Sequence, residues 1–349
     1  MTHDFNFLAT GIGSLPLTDP AAAVALALRY LPEAPIWPQL PKRGYREHMG
    51  GQYAEGLPGL VEDPARESFS IDSSRDLTGE LERFFERYLA RDLGHFAISE
   101  AHAAGLHALL RALETGGPPP GARFLKGHVT GPLTAGLSLK DEQGRDIIHN
   151  ELLFDVVVKN LALKAAWQVE VLGRFGRPVI VFIDEPAMET LGSAFSAAAP
   201  ELVAEKLEEV IAAIHEGGGI AGIHCCGNAD WPLLFGTQVD IVNFDAFDYL
   251  ERVLLFPAEV AAFLARGGAL AWGIVPTSGS TGTETAAGLI ERLEGGFARL
   301  GAAGIARETL VRQGIVTPSC GLGSLSPAQA EAALRLTLEI SARLRRQPA

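Results

Sequence analysis

The sequence has few cysteines, fewer basic than acidic residues and no long apolar run, and each shortage argues against a class of protein. Its three cysteines are Cys225, Cys226 and Cys320, an odd number that includes an adjacent pair, which argues against a secreted disulfide framework. The net charge of −13 argues against binding to nucleic acid or to an anionic membrane. No apolar run reaches the roughly 18 residues of a membrane span. Residues 1–7 lack the basic and apolar parts of a signal peptide, so we expect a cytoplasmic protein.

Apolar residues are plentiful instead, at 47% of 349 residues, which is enough for a large core. The length allows either two domains or one α/β barrel, because such barrels run past about 250 residues as a single unit. The sequence contains no internal repeat and no low-complexity tract. Charged residues make up 20% of the chain, so it is not typical of a disordered protein.

Short apolar or β-branched runs recur along the chain and predict strands. The runs around 178–186 and 239–247 are almost entirely apolar, as expected for strands that are buried on both faces of a parallel sheet. The predicted strands are 7–14, 34–39, 124–128, 178–183, 219–225, 240–244, 269–275 and 314–317.

Amphipathic segments alternate with these strands and predict helices, including 150–173, 201–216 and 326–345. Eight strands that alternate with helices predict an α/β protein with a (β/α)8 TIM barrel, as a single domain over 1–349. Residues 41–123 separate the second and third strands, and we interpret them as a mainly helical insertion. A doubly wound sheet is the alternative fold.

Within the insertion, helices are expected near 78–92 and 98–114, with a polar loop at 61–76. The insertion is expected to cover the mouth of the barrel.

Polar residues follow the ends of several predicted strands. In a barrel the carboxyl ends of the strands form the active-site face, so residues that are distant in sequence are expected to converge there. The residues in question are Ser14, Asp184, Glu185, His224, Cys226, Asp245 and Cys320.

His224 and Cys226 are two positions apart and therefore point to the same side of a strand, while Cys225 points away into packing. Imidazole nitrogen and thiolate sulfur are preferred zinc ligands, Cys320 can supply a third, and Asp245 can supply a carboxylate. Three protein ligands and an exchangeable position are typical of catalytic zinc. The alternative is that the cysteines are buried hydrophobic residues.

Other strand-end residues have a functional and a structural interpretation. Glu185 precedes a proline and can cap the following segment or serve in acid–base catalysis. A strand-end carboxylate can also bind a substrate ammonium. The segment 11-GIGSLP can bind a carboxylate through free backbone N–H groups or form an ordinary glycine turn. His128 ends the third predicted strand and either faces the site or is structural.

Six segments match, in order, a family that has zinc at its active site. The sequence resembles the catalytic C-terminal barrel of cobalamin-independent methionine synthase, in the uroporphyrinogen decarboxylase/methionine synthase-like superfamily. The resemblance covers nearly the whole chain and is to a short, single-barrel (core) form. The matching segments are 12-IGSLP, 126-KGHVTGPLT, 183-IDEPAM, 224-HCC, 240-DIVNFD and 317-TPSCGLG.

The resemblance implies that His224, Cys226 and Cys320 are zinc ligands. Asp245 stands where the family has a glutamate ligand, which shortens the side chain by one methylene group. The implied activity is zinc-dependent methyl transfer to the thiol of homocysteine.

The resemblance also implies a homocysteine site. Ile12, Gly13 and Ser14 match the segment that holds the carboxylate of homocysteine, and Asp184 matches the acid that binds its amino group. Gln39 is the nearest polar counterpart of a family glutamate that contacts the same amine.

Departures from the family pattern concern the methyl donor. The chain has room for one barrel of the family's two, and the segment 271-AWGIVPTSGSTG has Thr277 or Ser278 where the family has a histidine that protonates folate. Neither hydroxyl is a general acid near neutral pH. We therefore expect a corrinoid donor, methylcobalamin, carried by a partner protein, because no cobalamin-binding motif is present. The alternatives are transfer to another thiol such as coenzyme M, a folate-dependent enzyme, and a non-catalytic metal-binding barrel.

Overall fold

A computed structural model describes residues 3–191, 198–278 and 283–347. The strands are β1 Leu8–Ala9, β2 Leu60–Asp63, β3 Ser68–Ile71, β4 Leu125–Thr130, β5 Lys140–Asp141, β6 Val179–Asp184, β7 Ile220–Cys225, β8 Ile241–Phe244, β9 Ala269–Val275 and β10 Gly314–Pro318. The helices are α1 Pro20–Tyr30, α2 Met49–Gln52, α3 Thr78–Leu89, α4 Ala104–Gly116, α5 Pro132–Ser138, α6 Glu151–Gly173, α7 Pro200–Glu216, α8 Trp231–Gly236, α9 Leu250–Val253, α10 Pro257–Ala265, α11 Ala286–Ala302, α12 Arg307–Arg312 and α13 Pro327–Leu344. Within those ranges no helix is both long and apolar enough to cross a bilayer.

The main sheet has seven parallel strands in the order β1-β10-β9-β8-β7-β6-β4. Helices connect successive strands, as parallel crossovers require. This α/β arrangement is consistent with a TIM-like barrel. The predicted helices at 150–173, 201–216 and 326–345 are confirmed as α6, α7 and α13.

The predicted second strand, 34–39, does not form a regular ladder. It makes two isolated parallel bridges, from Ile36 to Lys126 of β4 and from Gln39 to Ser14, which follows β1. Two prolines in this segment, Pro35 and Pro38, lack the N–H that a continuous ladder needs. The segment therefore contacts both edges of the sheet while remaining irregular.

The region between this segment and β4 holds the predicted helices but not the predicted loop. Helices α3 and α4 correspond to the expected helices. The expected loop at 61–76 is instead largely a hairpin, in which β2 pairs antiparallel with β3 and β3 pairs with β5. Val61, Phe69 and Ile71 are strand-forming residues, and their alternation favours the hairpin over a loop.

Alternation along the central strands places apolar and polar side chains on one shared face. Ile180 and Phe182 of β6 belong to a buried cluster with Ile220 of β7. Since every second residue of a strand shares a face, Asp184 and His224 continue this face at the carboxyl ends. The two are direct partners in the β6–β7 register. The sheet thus carries an apolar base below a polar end.

Candidate active site

Three side chains with metal-binding atoms converge beyond the carboxyl ends of the sheet. His224 lies at the end of β7, Cys226 follows that strand, and Cys320 lies in the loop after β10. One ligand atom from each residue lies within 4.8 Å of the others. The convergence that the sequence predicted is present, since β7 and β10 belong to the same sheet.

A buried amide on β8 orients the His224 ring. Asn243 accepts a hydrogen bond from His224 Nδ1 at 2.5 Å, and its Nδ2 donates to the Ala271 carbonyl and to Thr317 Oγ1, both at 2.8 Å. Because the amide nitrogen is committed to these acceptors, its oxygen must face the ring and Nδ1 must carry the proton. The ring therefore presents Nε2 as a lone-pair donor, as metal-binding histidines do.

The donor atoms have the chemistry of a zinc site. His224 Nε2 is buried and makes no hydrogen bond among the described residues. The hydrogen bond from Cys320, followed by the nearby His224 ring, lowers the pKa of the Cys226 thiol to about 4. That same bond, together with burial, raises the pKa of Cys320. A buried lone pair beside a thiolate and a thiol fits zinc.

Asp245 lies near these three residues but is not one of the group within 4.8 Å. One of its carboxylate oxygens accepts hydrogen bonds from the N–H groups of Phe247 and Asp248, each at 2.8 Å. Burial raises its pKa to about 6. Its role as a fourth zinc ligand stays a prediction.

A cavity of about 330 Å³ adjoins the three candidate ligands and brings most of the predicted substrate residues to one surface. Of the predicted substrate-binding residues, Gly13 alone does not line this cavity, although its two neighbours do. The lining residues are Ile12, Ser14, Gln39, Pro41, His48, Met49, Asp184, Pro186, His224, Cys226, Cys320, Gly321, Gly323 and Ser324.

Asp184 gives the cavity a carboxylate that can still accept hydrogen bonds. Its Oδ1 is buried and has no hydrogen-bond partner among the described residues. Burial raises its pKa to about 6, against the opposing effects of His224 and Lys126. An incoming cationic donor would satisfy this oxygen.

The segment around Gly13 is held rigidly on three sides. Ile12 accepts a hydrogen bond from Lys126 Nζ at 2.6 Å, and Ser14 Oγ accepts one from the N–H of Gly323 at 3.1 Å. A Cβ on Gly13 would lie 2.8 Å from the His128 ring, so only glycine fits between the segment and β4. The loop after β10, which carries Cys320, is thereby joined to this segment.

Gln39 is also committed to local structure. Its Nε2 donates to the Glu47 carbonyl at 3.0 Å, and its backbone N–H donates to the Gly13 carbonyl at 3.0 Å. Gln39 therefore connects the Gly13 segment to the turn that precedes α2.

The side chain of Glu185 does not cap the segment that follows it, as one interpretation expected, and binds a different helix instead. Its carboxylate accepts from the N–H groups of Leu133 and Thr134 and from Thr134 Oγ1, at 2.6–2.9 Å. It thus caps the first turn of α5, the helix after the preceding strand of the sheet, and its side chain is fully buried. Burial, opposed by these bonds, raises its pKa to about 7.

Cys225 and His128 are packed rather than exposed to the cavity. Cys225 is fully buried and, as predicted, points away from its neighbour Cys226 into the core, where burial raises its pKa to about 12. His128 stacks on Trp37 with ring centroids 3.8 Å apart. Burial, with the Lys126 charge, holds the pKa of His128 well below its usual range.

Sequence reasoning missed Asn243 and His48. Asn243 lies on the site-facing side of β8, two residues before Asp245. Because residues two apart on a strand share a face, its position relative to Asp245 could have identified it. His48 lines the cavity from the turn before α2, with Nε2 3.1 Å from the Pro41 carbonyl oxygen. His48 does not follow a predicted strand, so a position at a strand end could not have identified it. Thr277 and Ser278 follow β9, while 279–282, the rest of the segment without histidine, lies outside the described residues.

No protein-family model and no curated protein matches the sequence. Among solved structures, the chain is similar to a B12-independent methionine synthase from Shewanella sp. W3-18-1, whose structure was determined in complex with selenomethionine. The TM-score is 0.57 and the identity is 16%, over 97% of this chain and 98% of the other. At this identity the similarity shows a shared fold.

Proposed function

We propose that the chain is a zinc-dependent methyltransferase that methylates the thiol of homocysteine to form methionine. The observation that carries this proposal is the group His224, Cys226 and Cys320 on the wall of a cavity that also contains the unpartnered carboxylate of Asp184. A thiol that carries an ammonium group can reach both features. The similar structure, a methionine synthase with bound selenomethionine, supports this choice of substrate.

In this proposal His224, Cys226 and Cys320 hold zinc, and Asp245 is the candidate for a further ligand. Zinc, when bound, would lower the pKa of a coordinated substrate thiol and keep it as a nucleophilic thiolate. Asn243 keeps Nε2 of His224 directed at the metal. Asp184 binds the substrate ammonium.

The remaining task of the chain is orientation. The 12–14 segment binds the carboxylate of homocysteine, with Gln39 beside it, so that both ends of the amino acid are held. Orientation of this kind contributes about 7–11 kcal/mol to a reaction between two molecules. The sulfur then attacks the methyl group of the donor and forms a sulfur–carbon bond. The bond between the methyl group and the donor breaks, and the donor leaves with its electron pair.

We propose a corrinoid, carried by a partner protein, as the methyl donor. The support is the absence of histidine from 271–282 in the sequence, because a folate leaving group needs a proton and reduced corrinoid does not. The similar structure is named as B12-independent, and that name favours a folate donor over a corrinoid. His48 on the cavity wall favours the same alternative, since a histidine there can supply a proton.

We also propose that the chain is one barrel domain, in which 34–39 takes the eighth strand position. Its bridges to Lys126 of β4 and to Ser14 support this closure.

Metal analysis is the first test. The wild type and Cys225→Ala are expected to bind one zinc ion, whereas Cys320→Ala loses zinc and activity together. Cys225 is the matched control because it adjoins a proposed ligand but is buried in the core. Zinc retained in Cys320→Ala would contradict the ligand assignment.

The second test compares donors and acceptors on zinc-loaded protein. Methionine is expected from homocysteine with methylcobalamin and not with methyltetrahydrofolate. Turnover with the folate that His48→Gln abolishes would establish the folate alternative. Faster methylation of coenzyme M than of homocysteine would favour the second thiol, and zinc binding without methylation of any acceptor would favour a non-catalytic barrel.

A further inference from the structure

Lys126 is a fully buried lysine directly behind the cavity wall. It lies on β4, its side chain has no exposed surface, and its Nζ sits 3.9 Å from the centroid of the Phe182 ring. A buried ammonium is costly unless an anion or several acceptors compensate it.

The partners of Lys126 do not supply that compensation. Its ammonium has three donors, and the hydrogen bond that the structure shows is to the Ile12 carbonyl at 2.6 Å. Among the described residues no carboxylate lies within 4.0 Å of Nζ. Burial lowers the pKa of Lys126 to about 7, and Asp184 opposes this only from longer range. The cation therefore sits next to the cavity with its charge incompletely matched.

The bond to Ile12 also sets the direction of the next peptide N–H. All peptide bonds of the described chain are trans, so the N–H of Gly13 points opposite to the Ile12 carbonyl and away from Lys126. None of the described residues accepts a hydrogen bond from the N–H of Gly13 or of Ser14. Free backbone N–H groups can donate hydrogen bonds to an anion.

We propose that Lys126 is a positioning residue for the carboxylate of the substrate. Its ammonium fixes the Ile12 carbonyl and thereby orients the free N–H of Gly13, which is followed by the free N–H of Ser14. It also supplies the positive charge that the bound carboxylate matches. This inference rests on the proposed function, because it assumes an acceptor that carries both an ammonium and a carboxylate.

The test measures the effect of Lys126→Met on two acceptors that differ only in the carboxylate. These are homocysteine and 3-aminopropane-1-thiol, which retains the thiol and the ammonium. The variant is expected to raise the KM for homocysteine about 10- to 100-fold, the size of a lost hydrogen bond to a charged group. The KM for the amine is expected to change less than about threefold, as for an uncoupled site. The zinc content should be unchanged.

Lys164→Met is the matched control. Lys164 on α6 is also buried and donates to a backbone carbonyl, that of Ala97 at 3.4 Å, but Ala97 does not line the cavity as Ile12 does. It should leave the ratio of the two KM values unchanged. Equal losses for both acceptors in Lys126→Met, or no loss, would overturn the proposal. If Lys126→Met does not fold, Lys126→Gln removes the same charge while keeping a hydrogen-bond donor.

Calorimetric binding of the two thiols separates this inference from the proposed function, since it needs no methyl donor. A binding preference for homocysteine that Lys126→Met abolishes, without turnover with any donor, would support the positioning role of Lys126 and refute the proposed methyltransferase activity. Methionine formation by a wild type that binds both thiols equally would refute the positioning role of Lys126 and leave the proposed activity in place.

Discussion

The hydrogen bond between Asn243 and His224 predicts that metal affinity depends on a residue that does not touch the metal. Asn243→Leu removes the acceptor for His224 Nδ1 and both donations from the amide, to Ala271 and Thr317. The leucine side chain is close to asparagine in size, so the change is mainly one of polarity.

The magnitude follows from the three bonds. Loss of the partner that orients a metal-binding histidine lowers metal affinity about 10- to 100-fold, which is about 1.4–2.8 kcal/mol. Three buried polar groups also lose their partners, and at about 1 kcal/mol each the free energy of unfolding falls by about 3 kcal/mol. Both losses should be visible because Asn243 has no exposed surface.

The assay is a competition titration for zinc against a chromophoric chelator, with denaturant unfolding of the metal-free protein in parallel. Thr317→Val is the control, because it removes a partner of Asn243 and leaves the contact with His224 in place. It should cost about 1 kcal/mol of stability and little zinc affinity. Wild-type zinc affinity in a destabilised Asn243→Leu would refute the argument that this amide orients the ring.

Three further predictions concern the substrate site and the stability of the fold. Asp184→Asn should raise the KM for homocysteine about 10- to 100-fold with zinc content unchanged, since it removes the charge that pairs with the ammonium; an unchanged KM would exclude this role. Gly13→Ala places a Cβ 2.8 Å from a buried imidazole and should destabilise the protein by about 1–3 kcal/mol in denaturant unfolding, whereas Gly116→Ala, with open space around it, should not. The hydrogen bond to Asp240 raises the pKa of His215, so this pair stabilises the folded state below pH about 6.5 and loses that contribution as the pH rises through the raised value. A comparison of Tm across pH 6–8 (about the range of that titration) should show this loss in the wild type and not in His215→Gln; parallel curves would contradict it.

Much of the sheet was predictable because strand patterns are local. The apolar runs that became β6, β8 and β9 needed no knowledge of the rest of the chain. Prediction failed where the backbone is irregular or polar. Residues 34–39 contain two prolines and form only isolated bridges, and the polar stretch after Leu60 pairs with itself as a hairpin.

The site divides in the same way. Parity along a strand put His224 and Cys226 on one side and Cys225 on the other, and the structure agrees. The alternation of side chains along a strand could not predict that the Glu185 carboxylate caps α5, because that helix follows a different strand of the sheet.

The sequence by itself determined the residue types and the face that each occupies, because side-chain direction on a strand depends only on position along it. Tertiary structure decided which of these residues meet. The approach of Cys320 to Cys226, the bond from His224 to Asn243 and the place of Lys126 behind Ile12 all depend on the order and register of strands that are far apart in the chain. Register is set by packing of the whole sheet, and no local pattern contains it.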